Sequence, residues 1–119
     1  MSTPEKRRDV TEDATRLVRR YYEALDEHEY ETLEPLLSPS FVQRRPDRTF
    51  ETRDAFVQFM REERPMTDTR HELLDVFGAD DRVAVRGRLL DASGEPIFEF
   101  ADLFELADGR IVRLETFTR

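Results

Sequence analysis

Near residue 65 the hydrophobic pattern of this chain changes period, and that change limits its fold more than any other feature. Upstream, apolar residues recur at helical spacing. Downstream they alternate, the period of a strand with one buried face. Four alternating runs follow, at 71–77, 82–90, 97–106 and 110–118. Between them stand Gly78-Ala79-Asp80-Asp81, Asp91-Ala92-Ser93-Gly94 and Ala107-Asp108-Gly109, which carry hairpin-turn chemistry. Helices followed by hairpins predict an α+β domain with an antiparallel sheet.

Thr11 is the expected N-cap of the first helix, with Glu12 and Asp13 placed to complement its dipole. Val10, Ala14, Leu17, Val18, Tyr21 and Leu25 share its apolar face, and it should end near Asp26. A short second helix over 31–37 would bury Leu33, Leu36 and Leu37, with Ser38-Pro39-Ser40 as its stop. Residues 41–45 read as extended up to Pro46. Thr52 should start a third helix whose Ala55, Phe56, Phe59 and Met60 face one side, closed by Pro65. The expected organisation is a loose arm at 1–10 and one domain at 11–119.

The third alternating run holds one residue that does not fit a core. Phe98, Phe100, Phe104 and Leu106 share a face, and Asp102 stands at its centre. An unpaired buried charge is costly. Asp102 must therefore be paired, hydrogen-bonded, protonated or lining a cavity. On the last strand, Val112, Leu114, Thr116 and Thr118 are the expected inward residues.

Composition removes several function classes. Without cysteine there is no disulfide, thiolate nucleophile or cysteine metal site, and His28 and His71 are the only imidazoles. No metal or cofactor is expected, since nucleotide-binding glycine loops and metalloprotease motifs are absent. The net charge of −8 argues against a nucleic-acid partner. With no apolar run long enough for a membrane and no hydrophobic leader, a cytoplasmic protein is expected. Lys6 is the only lysine, so 18 of the 19 basic residues are arginine. An acidic, lysine-poor surface suits concentrated salt and suggests a halophilic source, with arginine-favouring codon bias as the alternative.

Three stretches carry a family resemblance: RRYYEALDEHEYETLEPLLSPSFV at 19–42, TRDAFVQFM at 52–60 and FADLFELADGRIVRLETF at 100–117. In them the chain resembles the NTF2-like superfamily, especially its SnoaL-like and ketosteroid-isomerase branches. The resemblance implies a cone of three helices on a curved, mainly antiparallel sheet of four to six strands. It also implies an internal pocket for a small hydrophobic molecule and a homodimer formed through the open sheet face. Tyr21 and Asp102 fall where the isomerases place two donors to a substrate oxyanion. Where those enzymes place the proton-moving aspartate, this chain has Gln43-Arg44-Arg45-Pro46. Arginine cannot act as a base at neutral pH.

The resulting reading is a SnoaL-like protein binding a small hydrophobic carbonyl- or hydroxyl-bearing ligand, with cofactor-free isomerase- or cyclase-type chemistry possible. The alternative is a non-catalytic dimerisation or partner-binding module with a vestigial pocket. Tyr21 and Asp102 are the candidate oxyanion donors, and His71 is the candidate base, with Asp47 and Asp75 behind it. Arg44, Phe56, Phe59, Phe100, Phe104, Leu114 and Thr116 are the candidate ligand contacts. Alternation lets only one of Arg44 and Arg45 face inward. Asp102 could instead bond Tyr21, or pair with Arg86 or Arg88, for purely structural reasons.

Overall fold

The computed structural model describes residues 3–119, with side chains from residue 10 onward. Helix α1 runs Thr3–Asp26 and α2 runs Tyr30–Leu36. Strands β1 (Leu37–Arg44) and β2 (Thr49–Phe50) follow, then α3 (Arg53–Gln58), which continues as one wider π-type turn, Phe59–Glu63. The remainder is β3 (Arg70–Ala79), β4 (Arg82–Leu90), β5 (Pro96–Ala107) and β6 (Arg110–Thr118). One six-stranded sheet has the order β2-β1-β6-β5-β4-β3. Every pairing is antiparallel except β1 with β6. The predicted α+β class is observed.

Helix α1 starts at Thr3, which corrects the expected start at Thr11; residues 1 and 2 lie outside the described residues. Thr11 is an interior helical residue, and its hydroxyl accepts from the Asp80 backbone N–H at 2.9 Å. Val10, expected on the buried face, is 45% exposed. Leu37 belongs to β1, so the predicted stop at Ser38-Pro39-Ser40 is instead extended chain. Thr52 caps α3 as expected, accepting from Ala55 N–H at 3.0 Å. Val57 takes the buried place assigned to Ala55.

The hairpins follow their turn chemistry. Asp108 and Gly109 both have positive φ (53° and 74°) and form a two-residue turn between Ala107 and Arg110. That is the backbone twist which a tight hairpin requires. The β3–β4 turn is likewise confined to Asp80 and Asp81, leaving Gly78 and Ala79 in the strand. A bulge between Glu105 and Leu106 shifts the β5–β6 register. A bulge turns the alternation of its neighbourhood by one residue. As a result Ile111 is fully buried beside Leu114, and Val112 does not take the inward place expected of it.

The core lies between α1, α3 and the inner sheet face. Val18, Leu33, Leu37, Phe41, Phe56, Phe104, Ile111 and Leu114 are its largest fully buried members. Gly87 on β4 keeps this face open to one large ring: a Cβ there would stand 2.7 Å from Phe100 Cζ and 2.6 Å from the Glu72 carbonyl oxygen. No helix among the described residues is long and apolar enough to cross a membrane.

Candidate functional site

A cavity of about 380 Å³ opens between α1, the end of β1, the segment after α3 and the inner faces of β5 and β6. Its wall is mainly apolar, with Leu25, Phe59, Met60, Leu89, Phe98 and Phe100 contributing. The polar side chains among them come from separated parts of the sequence and fall into three groups.

The first group centres on Asp102, only 5% exposed. Strand alternation points it inward, and its cross-strand neighbours are Val85 and Thr116. Tyr22 Oη donates to Oδ2 at 2.5 Å and Thr116 Oγ1 donates to Oδ1 at 2.6 Å. Gln43 Nε2 donates onward to Thr116 Oγ1 at 2.9 Å. Burial raises the Asp102 pKa, and the hydrogen bonds from Thr116 and Tyr22, then the charges of His71 and Arg45, oppose that rise. Burial, then the Asp102 charge, raises the Tyr22 pKa well above 10. Asp102 has no ion pair among the described residues, because Arg86 and Arg88 lie on the other sheet face with Asp75 and Glu72.

The expected partner of Asp102 was Tyr21, and this is corrected to Tyr22. Both tyrosines are buried because α1 is packed on two sides, with Ala24 buried as well. Tyr21 instead packs against Tyr22, Phe56 and Phe104. Its hydroxyl has no hydrogen-bond partner among the described residues, and it lines the cavity.

The second group is His71 with Asp26. Asp26, the last residue of α1, accepts from the His71 backbone N–H at 3.0 Å and holds Nδ1 at 2.6 Å. A carboxylate can only accept, so Nδ1 carries the proton and Nε2 of the neutral ring is the acceptor. The imidazole lies 5.0 Å from the Tyr22 ring and 5.6 Å from Phe100. His71, which offers no partner at any legible spacing in the sequence, thus has one supplied by tertiary packing.

The third group is cationic. Arg45 lines the cavity, two residues beyond Gln43 on the same face, and Arg44 is exposed and outside it. The ligand role expected of Arg44 is therefore corrected to Arg45. Arg45 Nε donates to Asp47 at 3.2 Å, and its guanidinium lies 5.6 Å from the Phe59 ring centre. Arg64 also lines the cavity; it has no signal in the sequence.

Among the other expected contacts, Phe59, Phe100 and Thr116 line the cavity. Phe56, Phe104 and Leu114 do not; they are buried beneath it in the core. Asp75 pairs with Arg86 on the outer face. Among the described residues, no group of three or more His, Asp or Glu side chains is placed to hold a metal ion.

The arrangement is a hollow within a helix-on-sheet cone, with a hydroxyl-clamped carboxylate in its wall. The SnoaL-like domain family matches residues 18–114, and the chain belongs to it. No curated protein matches the chain. Among solved structures, a Kribbella flavida protein titled "putative ketosteroid isomerase" superposes with a TM-score of 0.82 at 22% identity, covering 92% of this chain and 79% of that one. Bal32a, from a soil-derived mobile gene cassette, gives 0.78 at 25% identity, covering 92% and 91%. A Sinorhizobium meliloti protein titled "putative polyketide cyclase" gives 0.74 at 22% identity, covering 85% and 93%. The fold is the NTF2-like cone that the sequence resemblance implied.

Proposed function

We propose that the cavity binds a small hydrophobic molecule carrying a carbonyl or hydroxyl oxygen, and performs cofactor-free acid–base chemistry on it. The observation that carries this reading is the Tyr22–Asp102–Thr116–Gln43 chain, a buried carboxylate held by two hydroxyls in the wall of a largely apolar cavity. Such pockets take apolar ligands and orient them with a few polar groups. Here the Tyr21 hydroxyl is free to donate to a ligand oxygen. Gln43 Oε1, buried without a partner, is free to accept from a ligand hydroxyl. His71 is the group that would move a proton: with Nδ1–H fixed on Asp26, Nε2 can take one from a carbon next to a carbonyl and return it to the same or a neighbouring position. Tyr21 would stabilise charge developing on the oxygen.

Calorimetry with 2-naphthol and naphthalene, and deuterium exchange at the α-carbon of 2-tetralone, test the two halves. Naphthol should bind more tightly than naphthalene, and exchange should slow at least about tenfold in His71→Asn. Equal binding of the two aromatics would remove the polar half of the site. Unchanged exchange in His71→Asn would remove the base.

The fold also supports a homodimer through the outer sheet face. Phe77, Leu103 and Phe117 are 65%, 46% and 42% exposed there, an apolar strip of the kind that marks association surfaces. Sedimentation should find a dimer that Leu103→Arg dissociates. The rival reading, a dimerisation module with a vestigial pocket, predicts a cavity filled by Phe56, Phe59, Phe100 and Phe104. The open cavity, with Phe56 and Phe104 beneath it, favours a ligand.

A further inference from the structure

Arg64 follows the π-type turn, precedes Pro65 and lines the cavity. Its Nη2 donates to the Tyr30 hydroxyl at 3.0 Å, and its Nε is buried with no acceptor. No carboxylate pairs with it among the described residues. Scarcity does not explain this, since the chain has 27 acidic residues against 19 basic ones. The neighbouring arginines differ. Arg45 and Arg48 share Asp47, at 3.2 and 3.5 Å. Asp47 also lines the cavity and would oppose an incoming anion, but those two guanidinium groups already attend it.

A half-buried guanidinium whose buried Nε has no acceptor is unfavourable, and a carboxylate matches its planar donors best. The field near the Tyr21 hydroxyl fits such a ligand. Burial raises the Tyr21 pKa most and Asp102 adds to the rise, while Arg45 and Arg64 both oppose it. Two cations therefore act on the Tyr21 hydroxyl, which has no partner among the described residues. A ligand that brought only apolar surface and a neutral oxygen would leave Arg64 unpaired and bury it further.

We propose that the molecule bound in this cavity is a hydrophobic carboxylic acid, whose carboxylate is received by the Arg64 guanidinium. This rests on the reading of the cavity as a ligand site and narrows the ligand class. It also gives the body of the ligand a direction: the acid lies toward Arg64 and the second oxygen toward Tyr21 and Gln43.

The test is isothermal calorimetry of the full chain with 2-naphthoate and its neutral isostere 2-naphthamide. Naphthoate should bind at least about tenfold more tightly, the scale of one charge-assisted contact. Arg64→Met should abolish that preference, and Arg64→Lys should restore part of it. Equal affinity of acid and amide for the unaltered protein overturns the carboxylate assignment and leaves the ligand site standing. Binding of neither compound overturns both. A preference that survives undiminished in Arg64→Met overturns the role of Arg64. Because the first comparison needs no variant, a misfolded substitution cannot leave the proposal undecided.

Discussion

The two faces of the sheet carry charge in opposite ways. On the outer face Arg86 meets Asp75, Arg88 meets Glu72 and Arg119 meets Glu99, each at 2.7 Å and partly exposed. On the inner face Asp102 is held by hydroxyls alone, and Tyr21, Gln43 and Arg64 all keep hydrogen-bonding capacity that the chain does not use. Exposed pairs are screened and contribute little. Buried polar groups with incomplete partners cost stability unless something completes them. The outer face is therefore satisfied at low cost, and the inner face is incomplete around one hollow.

The largest effect that would sharpen this contrast comes from closing the hollow. Gly87→Ala puts a methyl group against Phe100 and the Glu72 carbonyl, and backbone cannot yield as a flexible side chain does. Overpacking of this kind costs about 1–3 kcal/mol. We expect the upper end, with Phe100 displaced into the cavity and weaker naphthol binding. A neutral result in denaturant titration would mean that the inner face is looser than its packing indicates.

Next is Tyr22→Phe, which removes one of the two donors to Asp102 and nothing else. Loss of a hydrogen bond to a charged group costs about 1.5–3 kcal/mol. The same change at Tyr21 should cost little, because its hydroxyl has no partner to lose. Equal losses in the two variants would break the distinction between a structural tyrosine and a free one.

Asp102→Asn tests the charge itself. The folded pKa of Asp102 is raised, chiefly by burial. Its stabilising contribution is therefore full below the unfolded pKa and is lost as pH rises through the raised folded value. The melting temperature of the variant relative to the parent should accordingly improve as pH rises from the unfolded carboxylate value, about 4, through the raised folded value. A constant difference would mean that Asp102 titrates as it does in the unfolded chain.

Local chemistry made much of this molecule legible in advance. Alternation identified the inward strand positions around Asp102, and the Asp108-Gly109 turn has the conformation its residues favour. Errors arose where packing overrides period. Tyr21 and Tyr22 are both buried because α1 is covered on two sides, and spacing alone could not say which would reach Asp102. The bulge at Glu105/Leu106 replaced Val112 with Ile111. The pairing of Asp26 with His71 spans 45 positions, and no local pattern records such a separation. Arg64 is one of 18 arginines with no local pattern to set it apart, and its place beside the cavity is what distinguishes it.

The smallest expected effect belongs to the outer face. Arg86→Met removes one partner of an exposed pair, Arg86 being 58% and Asp75 38% accessible at the side chain. Double-mutant cycles on such pairs give about 0.2–1 kcal/mol. The Arg86–Asp75 coupling should sit in that range at low salt and shrink in molar KCl, where the Debye length falls to about 3 Å. Melting in the same two solutions also tests the halophilic reading of the acidic surface. If the whole chain gains stability in molar KCl while this pair weakens, the gain comes from screening or hydrating the excess carboxylates, not from individual ion pairs. If the coupling instead exceeds the Tyr22→Phe loss, the outer face holds the fold together electrostatically, and the contrast between the faces is reversed.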